Sequence, residues 1–149
     1  MIVKATSFLA RRADKKLGED VRNNLVRLFT EHSARVVQND ESEYREPRSF
    51  DHAVATVSTP DLDLRFVRVR GQFEVDISAP SPYRKWDALD SALLWLDIQR
   101  GVQTSSDIPN WGYGLDWTSL DWWSIDRFLI ENWDRLKAAA STRPYLKHR

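Results

Sequence analysis

Three kinds of side chain could do chemistry in this sequence: carboxylates in close pairs, histidines, and aromatics in a glycine-containing stretch. Asp87 with Asp90, or Asp116 with Asp121, has the composition of a general acid and base pair. The run from Asp116 to Asp126 could offer oxygen ligands to magnesium or calcium, although the calcium-loop pattern with its central glycine and terminal glutamate is absent. The competing explanation is structural. Aspartate is favoured at helix N-termini by the macrodipole, which accounts for Asp87, Asp90 and Asp121 without catalysis. His32, His52 and His148 are isolated, and none stands at HxxxH or HExxH spacing. There is no cysteine, hence no thiol nucleophile, thiolate ligand or disulfide. GxSxG, GxxxxGK[ST] and GxGxxG are also missing. The expectation is a chain that is not an enzyme and needs no cofactor or metal.

The aromatics point to binding. Trp111, Tyr113 and Trp117 lie in a stretch with Gly112 and Gly114, where they could be lids on a core or interface anchors. The charge around them is one-sided. The chain carries 22 basic and 22 acidic residues, yet Trp86 to Asp134 holds nine acids against Arg100 and Arg127. Basic residues gather at the ends, with a basic tail from about residue 141. A neutral total argues against a nucleic-acid partner, and no apolar run approaches a membrane span or a signal peptide. A single cytoplasmic domain over residues 1–149 is expected. Nothing in the sequence fixes an oligomeric state.

These residues need a scaffold, and the hairpin in Leu64-Arg65-Phe66-Val67-Arg68-Val69-Arg70-Gly71-Gln72-Phe73-Glu74-Val75-Asp76-Ile77 is its clearest part. With Arg70-Gly71 at the turn, Phe66 faces Val75, Leu64 faces Ile77 and Arg65 faces Asp76. A one-residue slide would set Val75 against Arg68 and Phe73 against Arg70. Around the hairpin, the spacing predicts a helix over Ala13 to Ser33 and extended chain over Ala34 to Gln38. A strand is predicted over His52 to Ser58, a helix from about Arg84 to Arg100 stopped by Gly101, and a last helix from near Thr118. Trp86, Trp122 and Trp133 fall on helix stripes; Trp95 falls opposite one. The fold class is therefore α+β: an N-terminal helix, an antiparallel sheet of about four strands, and two C-terminal helices packed on it.

The N-terminal helix, the hairpin, the Pro-containing break and the helix opening with Trp86-Asp87-Ala88-Leu89, closed by a Trp-bearing helix, together resemble small bacterial immunity proteins of contact-dependent growth inhibition and other polymorphic toxin systems. The sharp part covers roughly residues 62 to 97, and the remainder matches in layout. The resemblance implies a protein that binds one cognate toxin C-terminal domain, commonly a nuclease, and masks its active site. It carries over no site residues. From charge and aromatics, the expected partner surface is Asp87, Asp90, Asp97, Asp107 and Asp116 with Trp111, Tyr113 and Trp117. The alternatives are a carbohydrate- or ligand-binding module using the loop aromatics, and a small carboxylate-dependent hydrolase.

Overall fold

A computed structural model describes residues 2–39, 52–69, 72–101 and 122–141. Helix α1 (Ile2–Asn24) runs into a short α2 (Val26–Glu31). Strands β1 (Arg35–Val37), β2 (His52–Ser58), β3 (Asp63–Val69), β4 (Gln72–Ser78) and β5 (Asp87–Ala88) follow. Helices α3 (Leu89–Gln99), α4 (Trp122–Glu131) and α5 (Trp133–Ser141) complete the described chain. The sheet is antiparallel, and its spatial order β1-β2-β3-β4-β5 is the chain order. The class is α+β, with the N-terminal and C-terminal helices in the expected sequence order. None of the described helices is long and apolar enough to cross a membrane.

Register explains the layering. Ala55, Phe66 and Val75 lie side by side across β2, β3 and β4, as do Val57, Leu64 and Ile77. All six are buried, and they share one core with Leu17, Val21, Leu25 and Leu28 of the N-terminal half and Leu93, Ile125, Leu129 and Leu136 of the later helices. One sheet face is thus roofed by helices. The opposite face mixes polar side chains with Val54, Val67 and Val69, and it too is largely closed. Thr56, Arg65 and Asp76 line up across it, and Arg65 donates two hydrogen bonds to Asp76 Oδ2, at 3.1 and 2.9 Å. Trp86 lies under the Arg65 guanidinium at 4.7 Å, with Arg84 at 5.8 Å from the same ring. Arg84 in turn donates to the fully buried Asp63 at 2.6 Å. The pairing of cation, ring and carboxylate lets charged groups sit where the sheet would otherwise need apolar cover.

Four boundaries differ from the sequence expectation, one of them the break at Asn132 that divides the expected last helix into α4 and α5, so that three helices and not two follow the sheet. The sheet has five strands, not about four: Asp87 and Ala88 pair with Ile77 and Asp76 as an edge strand. The second helix therefore starts at Leu89 and not near Arg84, and Trp86 belongs to the chain before β5, not to a helix stripe. The first helix extends back to Ile2 and bends at Leu25, where ψ is 57°. Gly18 sits inside α1 because the helix passes close to the sheet there; a Cβ at this position would meet Val36 Cγ1 at 3.2 Å. Gly101 ends α3 with φ at +70°, a region that suits glycine, and its N–H donates to Ile98 O at 3.1 Å. The hairpin turn at 70–71 and the start of the last helix near Thr118 lie outside the described residues.

Candidate functional site

Helix α4 begins with two tryptophans, and helical geometry separates them. Successive side chains point about 100° apart, so a buried stripe can accept only one of the two. Trp122 joins Ile125 and Leu129 on the inner side and meets Phe73 edge-on, centroids 5.5 Å apart. Trp123 is left outside, 67% exposed.

The exposed indole is nevertheless held. Arg127, one turn on, places its guanidinium 5.3 Å from the Trp123 ring centroid. Arg127 Nε then donates to Glu131 Oε1 at 2.9 Å, one further turn along. Trp123, Arg127 and Glu131 form a ladder at four-residue spacing. Across from it, α2 carries a second pair, Arg27 Nε donating to Glu31 Oε2 at 2.9 Å.

Asp126 ties the two helices together. It is buried, and its carboxylate accepts from the N–H of Arg27 at 3.3 Å and of Leu28 at 3.2 Å. These are orphan donors of the first turn of α2, whose own N-cap residue, Leu25, makes no side-chain bond. A cleft of about 330 Å³ lies between the helices, lined by Arg27, Trp123, Asp126, Arg127 and Glu131. The Arg27 guanidinium is held more firmly cationic than usual, chiefly by its hydrogen bond to Glu31, with Asp126 and Glu131 adding to the field. The cleft thus brings together an indole, two guanidiniums and paired carboxylates. They suit aromatic packing and directed hydrogen bonds to another macromolecule.

The residues expected from sequence are distributed differently. Asp87 opens β5 opposite Ile77 and is half-buried. Asp90 lies half-buried in the first turn of α3. Asp97 is engaged within the fold: both its oxygens accept from Arg135 Nη2 of α5, at 3.0 and 2.9 Å. Asp107, Trp111, Tyr113, Asp116 and Trp117 lie outside the described residues, as do Asp121 and His148. The acidic surplus of the C-terminal half is partly spent internally, since Asp97 pairs with Arg135, Asp126 caps α2 and Glu131 pairs with Arg127. His32 stacks on Trp133 at 3.9 Å, and Trp133 Nε1 donates to Asp61 Oδ2 at 3.1 Å. His52 is half-buried at the start of β2. Among the described residues, no group of three His, Cys, Asp or Glu side chains is placed to hold a metal ion.

Sequence reasoning passed over Trp123. The signal was available: Trp122-Trp123 opening a stripe of Trp122, Ile125 and Leu129 forces the second ring off that stripe. Compared with protein-family models, with curated proteins and with solved structures, the chain gives no match.

Proposed function

We propose that this chain is a non-enzymatic, cytoplasmic immunity protein that binds a cognate toxin domain, of nuclease type, and masks its active site. The carrying observation is Trp123, two-thirds exposed yet held in place by Arg127 beside the α2–α4 cleft. Holding a large aromatic in one orientation before binding lowers the entropy cost of using it as an anchor. Tryptophan and arginine are also the residues that most often dominate interface energetics. A further point supports the reading. Asp126, which closes the run that could have offered oxygen ligands to a metal ion, is instead engaged in capping α2. We assign Asp87 and Asp90 at the β5–α3 junction, with the acidic and aromatic residues of 102–121, to the surface that meets a basic nuclease groove.

The test is co-expression with candidate nuclease domains of polymorphic toxins, scored as survival and as a co-purifying complex. Wild type protects, and Trp123→Ala loses protection while its melting temperature stays unchanged. Full protection by Trp123→Ala moves the anchor elsewhere. Absence of both complex and protection with the wild-type chain overturns the immunity reading.

A further inference from the structure

The outer side of α1 stands apart by its composition. Between residues 11 and 24 the exposed side chains are the cations Arg11, Arg12, Lys15, Lys16 and Arg22, with Asn23 and Asn24. None of the exposed residues there is apolar and none is acidic. The apolar stripe of the helix, Leu17 and Val21, is turned into the core. The carboxylates of this stretch lie lower and are mostly engaged. Asp14 accepts from Val54 N–H at 2.8 Å and from Asn39 Nδ2 at 3.1 Å. Asp20 sits between Lys16 Nζ at 3.2 Å and Arg68 Nη1 at 3.9 Å. Glu19 is half-buried and offsets one cation. Among the described residues, no carboxylate is within ion-pair distance of Arg11, Arg12, Lys15 or Arg22. The neutral total of the chain conceals this local surplus. Helical spacing then aligns part of it. At about 100° per residue, Arg11, Lys15 and Arg22 fall within an arc of roughly 40°. At about 1.5 Å per residue they span roughly 16 Å of the axis. All three line one groove beside β1, of about 620 Å³.

We infer that this face of α1 binds the phosphate backbone of a nucleic acid, without reading its sequence. Composition selects the occupant. A protein partner is met through an interface core depleted of charge and enriched in aromatic and apolar groups. Nothing exposed on α1 between residues 11 and 24 can supply such a core. Interfaces with nucleic acid are more polar and much more positively charged. Their phosphates are contacted by arginine, lysine and asparagine side chains, which fix position without specifying bases. A lipid surface needs an apolar helix face free to enter it, and over this stretch that face is already packed on the sheet. A single small anion would satisfy one cation and leave the row unused. The groove shares no lining residue with the Trp123 cleft, so this inference stands or falls independently of the immunity reading.

The test is fluorescence anisotropy of the full chain with a fluorescein-labelled DNA duplex of about 20 base pairs, between about 50 and 200 mM salt. Three phosphate contacts give a slope of log K against log salt of about −3, steeper if Arg12 and Lys16 also engage. Arg11→Gln with Lys15→Gln and Arg22→Gln should weaken binding about ten-fold or more at the low-salt end and flatten the slope by about 3. All three positions are exposed, so the melting temperature should hold. If the triple variant does not fold, Lys15→Gln alone should flatten the slope by about 1. Duplexes of unrelated sequence should bind alike, and Trp123→Ala should bind as wild type does. No binding at the low-salt end, or a slope that these variants leave unchanged, overturns the proposal. A strong preference for one duplex sequence overturns it too. So does equal affinity for polyglutamate or for phosphatidylserine vesicles, since an acidic protein or a lipid surface would then serve as well.

Discussion

Removing the Asp126 carboxylate should detach α2 from α4, and the size of the effect can be worked from two hydrogen bonds. Asp126 accepts from two backbone N–H groups at 3.2–3.3 Å in a buried position. A hydrogen bond to an ionised acceptor contributes about 1.5–3 kcal/mol, and loss of a helix N-cap costs about 0.5–2 kcal/mol. Both bonds here are long, which favours the low end of each range. Asp126→Ala should then cost about 2–4 kcal/mol, since it also strands two donors at a buried helix end. For a domain near this size each kcal/mol lowers Tm by about 2–4 °C, so a fall of roughly 5–15 °C is expected. A six-residue helix has no independent stability, so the loss should be concentrated locally. Hydrogen exchange at the Arg27 and Leu28 amides should accelerate more than at the β2–β3 ladder. Asp126→Asn keeps an acceptor oxygen without the charge and should recover about half the loss. Chemical denaturation of the three proteins measures this directly. A change under about 0.5 kcal/mol for Asp126→Ala, the scale of an ordinary surface substitution, would refute the reasoning.

Phe73 is 2% exposed and packs against Phe66 and Trp122; Phe73→Ala should cost about 3–5 kcal/mol in urea unfolding. Trp123→Ala should change stability by less than about 0.5 kcal/mol while speeding dissociation of the bound partner, read by surface plasmon resonance. Burial raises the Asp76 carboxyl above its ordinary value of 3.8, against the lowering pull of Arg65. The native state therefore holds this proton more tightly than the unfolded chain. Asp76's contribution to stability should rise as pH falls from above the raised native value to below 3.8. Urea melts of wild type and Asp76→Asn across that window should show the difference growing in favour of wild type; shrinkage would contradict the burial account. Asp97→Lys should lower Tm, read by thermal melting, by setting a cation against Arg135.

Local pattern carried the sheet. β2 spans His52–Ser58, as the strand character of its residues indicates, β4 spans Gln72–Ser78, as its alternation indicates, and the hairpin pairs Phe66 with Val75, Leu64 with Ile77 and Arg65 with Asp76. A period of two fixes such a register within a few residues. The departures depend on distant partners. The bend at Leu25 coincides with a cap supplied by Asp126, about a hundred positions later. Trp86 matches a helix stripe in sequence, yet Arg65 and Arg84 hold it over the mixed sheet face. β5 is two residues long and leaves no periodic trace. The same limit applies to the site. Charge counting marked Asp97, whose partner Arg135 lies 38 positions away, and a helical wheel is needed to see that only one of Trp122 and Trp123 can turn inward.

The chain-order sheet has a consequence for how the protein is made. Each strand can pair with its predecessor as soon as it leaves the ribosome, because every ladder joins neighbours in sequence. Its apolar face cannot be finished so early. Phe66, Phe73 and Ile77 share their core with Ile125, Leu129 and Leu136. At about 5–20 residues per second, the roughly 40 residues between β4 and α4 take several seconds to synthesise. During that interval a nearly complete sheet presents a row of large apolar side chains with only part of its roof. A nascent chain stalled before α4 is thus a natural substrate for chaperones, and translation speed across residues 79–121 bears on how much of the product stays out of aggregates.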